Sequence, residues 1–227
     1  MKQISYYILE RLHINKDTDN HYYNYHPKTR DELQELVNKL IKERGNEANL
    51  NDIDTSEITD MSYMFKSSEF NGDISEWDVS NVEDMSDMFY KSEFNGDISN
   101  WNVSNVKDMN DMFFRSKFNG DISEWDVSKV EDMSYMFCGA SFNGDISKWD
   151  VRNAEDMNGM FEDSKFTGKN SDISKWDVSN VKNMNNMFYE SPFNGDISNW
   201  NVSNVENMSY MFFGSPLEKN PPKWYKE

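Results

Sequence analysis

Residues 70–93 read FNGDISEWDVSNVEDMSDMFYKSE, and this unit of 24 residues decides the fold. Close copies of the unit follow one another, with steps of 24 residues that are broken by a single step of 27. The tryptophan of the unit recurs at Trp77, Trp101, Trp125, Trp149, Trp176 and Trp200. A fixed period of this length is typical of a repeat protein, in which each copy covers the apolar face of the next.

Within one unit, the spacing of the apolar residues predicts a strand followed by a helix. Residues 77–79 alternate between apolar and polar, as a short strand does. Apolar residues then follow at i, i+3, i+6 and i+7, the spacing of one helix face: Val82, Met85, Met88 and Phe89. We therefore predict an α/β fold, a right-handed leucine-rich-repeat-type solenoid of short parallel strands and short helices, with the Trp, Met and Phe columns in its core.

The segments on either side of the repeats predict caps. Residues 29–45 carry a capping box at Thr29 and Glu32, an apolar face and Gly45 at the end, which together predict a helix. The expected domains are an N-terminal helical cap with a Tyr-rich loop (1–49), the solenoid repeats (50–216) and a C-terminal cap (217–227).

Composition narrows the function classes. The chain of 227 residues has a formal net charge of −18, which argues against binding to nucleic acid or to an anionic membrane and favours a protein partner that is basic. The N-terminus lacks a signal-peptide pattern, and Cys138 is the single cysteine. We therefore expect a cytoplasmic protein, with the cell surface or a virion, reached by a non-classical route, as the alternative.

The sequence shows no catalytic motif. It contains no phosphate loop, no nucleophile elbow and no zinc spacing, so we expect no enzyme activity, no cofactor and no metal. The aspartate after each Asn-Gly turn, Asp73 in the first unit, can accept backbone N–H bonds within its turn. Bound Ca²⁺ is the alternative explanation for this column of aspartates.

Polar positions that flank the predicted strand would form the concave face of the solenoid, and they are the first candidates for partner binding. Their members are Glu76, Asp78, Asn102, Glu124, Asp126, Asp150, Asp177 and Asn201. The loop before the predicted helix adds three tyrosines, Tyr22, Tyr23 and Tyr25, as a second contact surface. The aspartates can equally be polar residues that only face the solvent.

The pattern F-N-G-D-I-S-x-W-D-V-S-N-V-x-D-M-x-x-M-F resembles the repeat of BspA-like leucine-rich-repeat proteins, also known as the mycoplasma surface lipoprotein repeat. The resemblance covers about residues 50–216. It implies a leucine-rich-repeat-type fold and binding to proteins, often as a bacterial surface adhesin.

Three functions remain open at this point. The first is a non-enzymatic, intracellular protein–protein interaction module. The second is a surface adhesin or a virion-associated protein. The third is an acidic decoy that mimics nucleic acid and inhibits a basic protein.

Overall fold

The structure is a computed structural model that describes residues 23–226. Helix α1 spans Arg30–Arg44, and one turn of 3-10 helix spans Pro216–Lys219. Between them the repeats consist of turns that are joined by isolated parallel β-bridges. No helix in this part of the chain is long and apolar enough to cross a membrane.

The predicted α/β solenoid of strands and helices is wrong. Residues 77–79 form no β-bridge, and where a helix was expected the chain has a bridge at Asp84 and a turn over residues 86–89. The rungs of the ladder lie instead at the residue before the first methionine of each unit, as in Asp84↔Asp108 and Asp108↔Asp132. The strand-lined concave face that the prediction required is therefore absent from the described residues.

Consecutive turns explain why the repeat imitates a helical spacing. The amide of Met88 donates to the carbonyl of Met85 at 3.2 Å, so the two methionines at i and i+3 are the ends of one turn. Asp87 has a left-handed backbone (φ 55°), which the third residue of such a turn requires. The amides of Met85 and Asp87 leave the repeat and donate to Asp108 and Asn110 of the next one, each at 2.9 Å. In an α-helix these amides would bond within the same segment.

The core is a set of side-chain columns that run through all the repeats, as predicted for Trp, Met and Phe. The Phe89 and Phe113 rings stack with centroids 5.5 Å apart, and the Trp77 and Trp101 rings with centroids 6.5 Å apart. Each indole also bonds to the repeat before it, as Trp101 Nε1 donates to the carbonyl of Ile74 at 3.2 Å. Stacked rings and buried indole bonds thus join successive repeats through the same side chains.

Polar side chains of the unit form hydrogen bonds with backbone groups of the neighbouring repeats. The side-chain oxygen of Asn71 accepts from the amide of Asn95 at 2.7 Å, and the amide group of Asn105 donates to the carbonyl of Ser80 at 2.7 Å. The glycine of the Asn-Gly pair makes room for a ring, because a Cβ at Gly120 would lie 2.8 Å from the Phe118 ring. The regular recurrence of these residues along the chain therefore reflects stacking.

Helix α1 was predicted correctly from its caps. Thr29 Oγ1 accepts from the amide of Glu32 at 3.3 Å, and Gly45, with φ of 89°, ends the helix. Its buried face consists of Leu33, Val37 and Leu40. The helix covers the first repeat, where the apolar columns would otherwise meet water.

We expect the hydrogen bond from the Trp101 indole to contribute measurably to the stability of the chain. Trp101→Phe keeps a ring in the stack but removes the indole donor to the carbonyl of Ile74, which still accepts from the amide of Trp77, so the free energy of unfolding should fall by about 0.5–1.5 kcal/mol. Trp101→Ala also leaves a cavity and should cost about 3–5 kcal/mol. Urea denaturation followed by fluorescence measures both, and a Trp101→Phe variant as stable as the wild type would show that the bond contributes nothing.

Candidate protein-binding surfaces

The predicted column that begins with Asp78 lies on the surface, but one oxygen of each side chain is used by the fold. Asp78 Oδ1 accepts from the amide of Ser80 at 3.0 Å, and Asp126 Oδ1 accepts from Ser128 at the same distance. The same two-residue bond occurs in the rest of the column, at Asn102, Asp150, Asp177 and Asn201. These residues close turns, so their recurrence alone does not indicate a binding site.

The aspartates after the Asn-Gly turns have the turn role that the sequence predicted. Asp97 Oδ1 accepts from the amide of Ser99 at 3.0 Å, and Asp121 Oδ1 from Ser123 at 2.9 Å. The bond from the Ser99 backbone is the main reason that the pKa of Asp97 is lowered. Among residues 23–226, no group of three or more His, Cys, Asp or Glu side chains is placed to hold a metal ion.

The predicted positions Glu76 and Glu124 are exposed, and they belong to a column in which the charge changes sign along the stack. Glu124 pairs with Lys148 of the next repeat. A parallel column behaves in the same way, since Lys107 pairs with Glu83 at 2.7 Å and Lys182 with Glu155 at 2.5 Å. These pairs place cations between the carboxylates of both columns, so neither column is uniformly negative, which weakens the case for a nucleic-acid mimic.

The structure brings one predicted tyrosine close to the predicted carboxylates. Burial raises the pKa of the Tyr23 phenol, and the charges of Asp54, Asp78 and Glu76 raise it further. Tyr25 lies before helix α1 and forms a parallel bridge with Ile53. Tyr22 lies outside the described residues. Tyr23, Glu76 and Asp78 are thus neighbours, although the sequence placed them on separate surfaces.

Sequence reasoning missed a surface on the outside of the methionine turns. We call it the basic–aromatic patch, and it consists of Tyr63, Lys66, Tyr90, Lys91, Phe114 and Arg115. The sequence pattern predicted no role for these positions. The sequence signal that could have revealed them is variation in residue type. The residues in these columns differ from copy to copy, whereas adjacent positions of the unit keep the same residue.

Rings and cations alternate across the basic–aromatic patch. The Tyr90 and Phe114 rings stack nearly parallel with centroids 4.6 Å apart. The Lys66 ammonium lies 4.4 Å from the centroid of Tyr90 and 4.6 Å from that of Tyr63. The Arg115 guanidinium lies 5.4 Å from the centroid of Phe114. Such cation–π contacts hold the long side chains in place and leave a partly exposed aromatic surface.

Two aspartates lie beneath this patch. Asp87 is buried and bonds to the Lys66 ammonium at 2.8 Å. Burial, followed by repulsion from Asp87, raises the pKa of Asp111 to about 6. Burial likewise raises the pKa of the neighbouring Cys138 thiol to about 12, so that it stays protonated at neutral pH. The base of the patch is thus poorly solvated, which strengthens electrostatic contacts made there.

The repeats match a known family model over two overlapping segments, residues 32–141 and 114–224. The family is described as Mycoplasma protein of unknown function, DUF285. The chain belongs to this family. The match agrees with the repeat organisation and with the mycoplasma resemblance, and it carries no evidence for leucine-rich repeats. Comparisons with curated proteins and with solved structures find no match.

Asp111 should make stability depend on pH. Its pKa is about 6 in the folded chain against an ordinary 3.8, so the folded state binds the proton more tightly and loses stability as the pH rises from about 4 to about 6. Asp111→Asn should therefore stabilise the protein at neutral pH and have no such effect below about pH 4. Because Asp111 is only partly buried, we expect a gain of about 1 kcal/mol.

Thermal unfolding across this pH range measures the effect. The matched control is Asp163→Asn, since Asp163 is exposed and shares the left-handed backbone that asparagine also tolerates. A gain that is the same at every pH, or equal in the two variants, would contradict the assignment to the Asp111 charge.

Proposed function

We propose that this protein is a non-enzymatic protein-binding module that contacts its partner through the basic–aromatic patch. The observation that carries the proposal is the stacked, partly exposed pair Tyr90 and Phe114, bordered by exposed cations at Lys91 and Arg115. Tyrosine and arginine are enriched at protein interfaces, where rigid rings supply area at little entropic cost.

The contrast between recurring and variable positions within the repeat supports this choice of surface. The recurring polar residues bond to the backbone, whereas Lys91 and Arg115 occupy a column whose later members include Asp163 and Glu190. A stack that needed one residue type at this position would not accept both signs of charge. Variation on an otherwise regular scaffold is how repeat proteins fit an irregular partner.

The charge of the patch indicates the kind of surface that it fits. Lys66 is paired with Asp87, which leaves Lys91 and Arg115 to give the patch a positive charge on a chain whose net charge is −18. A partner segment with carboxylates beside apolar side chains would complement both the cations and the rings. The columns of Glu76 and Asp78 are the competing surface, which would suit a basic partner.

Two charge-reversal variants separate the patch from the general charge of the protein. Lys91→Glu with Arg115→Glu alters the patch, and Glu190 shows that the same position accepts glutamate in a left-handed backbone (φ 50°). Lys129→Glu with Lys165→Glu changes the net charge equally, at exposed positions that do not belong to the patch. The partner is first captured from a lysate with the wild-type chain, identified and purified, and its affinity for each variant is then measured by calorimetry.

We expect the patch variant to weaken binding at least about tenfold and the control variant to change it little. Equal weakening by both variants would show that net charge, and not the patch, controls the affinity. Unchanged binding by the patch variant, with a loss in Asp126→Lys and Asp177→Lys, would place the contact on the acidic column instead.

A further inference from the structure

The hydrogen bonds between methionine turns all point in one direction. The amides of Met85, Asp87 and Phe89 donate forward, to carbonyls of the following repeat at 2.9 Å. The carbonyls of Ser86 and Met88 accept from the repeat before, through the amides of Tyr63 and Phe65. This part of the stack therefore has two unlike ends, one that presents carbonyl oxygens and one that presents N–H groups.

The carbonyl end is covered by side chains of helix α1. Arg30 Nε donates to the carbonyl of Ser62 at 2.9 Å, and Gln34 Nε2 donates to the carbonyl of Met64 at 3.0 Å. These two carbonyls are the counterparts of those of Ser86 and Met88. A cation and an amide thus supply the donors that a preceding repeat would have supplied.

The N–H end is covered only in part. The amide of Gly214 donates to the carboxylate of Glu218 at 3.2 Å. The corresponding ladder amides of Met208, Tyr210 and Phe212 have no hydrogen-bond partner within residues 23–226. Phe212 is buried against the Tyr225 ring, at a centroid distance of 4.9 Å, so Met208 and Tyr210 provide the accessible donors.

The surroundings of these two donors form a groove. Its lining includes Tyr210, which is 65% exposed, and Tyr225, with Lys226 as its cation and Glu206 as its carboxylate. Residues 217–226 cover the tryptophan side of the last repeat, where Trp224 Nε1 donates to the carbonyl of Ile197 at 3.0 Å. The methionine side remains open in the described part of the chain.

We propose that the open edge at Met208 and Tyr210 binds an acidic peptide segment of a partner protein through its carboxylates. N–H groups at the open edge of a sheet-like ladder form an anion-binding concavity. Glu218 already shows a carboxylate on this edge, at the neighbouring amide. The carbonyl of Glu206, whose counterpart at Glu83 accepts from the amide of Lys107, lies at the same edge and adds an acceptor beside the two N–H donors. The site lies at the end of the stack and does not depend on the basic–aromatic patch.

The test measures fluorescence anisotropy of a labelled short peptide of alternating Glu and Ser on the full chain. Met208→Pro removes one accessible N–H that bonds to nothing in the described fold, and Asn207 before it lies in a β-bridge, which suits the residue preceding proline. We expect Met208→Pro to weaken binding about tenfold and Met208→Leu, which keeps the N–H, to leave it unchanged. Circular dichroism checks that both variants fold.

A second variant predicts the opposite change. Glu218→Ala frees the amide of Gly214 and removes a negative charge from the edge, so it should tighten binding of the same peptide several-fold. This gain cannot arise from a damaged fold.

Four outcomes would overturn the proposal. The first is the absence of peptide binding to the wild type, and the second is equal binding by Met208→Pro. The third is equal binding of the matched Gln and Ser peptide, which would show that carboxylates are not recognised. The fourth is self-association of the wild type, lost in Met208→Pro by analytical ultracentrifugation, which would identify a second copy as the occupant.

Discussion

The structure depends on hydrogen bonds between backbone positions that are one repeat apart. Each alternate amide of the methionine turns needs a carbonyl in the next repeat, and this requirement fixes the register of every column. The 27-residue step obeys it, because the amide of Met157 still reaches the carbonyl of Asn183 at 2.9 Å. The extra residues 169–171 fall outside the methionine turns, and the buried hydroxyl of Ser171 accepts from the amide of Ile146 at 2.9 Å.

This constraint explains why function is sought at variable positions. An aspartate such as Asp78 or Asp97 recurs because it closes a turn, and an asparagine such as Asn105 recurs because it bonds to the repeat before it. The side chain of Lys91 faces solvent and neither closes a turn nor bonds to the repeat before it. The residue type at such a position can therefore change without loss of register. Regular positions of this chain therefore reflect stacking, whereas irregular positions are free of that requirement.

The sequence was sufficient for the features that are local or that follow from burial alone. Helix α1 was predictable because Thr29, Gly45 and the apolar face between them act within one segment. The core columns were predictable because large apolar residues at a fixed period must be buried. The conformation of the repeat was not, since i, i+3 spacing arises from single turns as well as from helices, and the choice is made by partners 24 residues away. The basic–aromatic patch was missed for the same reason, because the wrong local structure gave its positions no common surface.

The direction of the hydrogen bonds in the ladder follows from the same turns. One end of the stack therefore has carbonyl groups that require donors, and the other end has N–H groups that require acceptors. Sheets ordinarily have little net dipole because their bonds alternate in direction, whereas here the bonds of the methionine turns add. The carbonyl end therefore attracts donors, and Arg30 and Gln34 meet that need from a helix that also covers the apolar columns. The N–H end attracts acceptors, and Glu218 meets the need at one amide only. No pattern of apolar and polar residues records the direction of a backbone bond, so this asymmetry becomes visible only when the turns are seen in three dimensions.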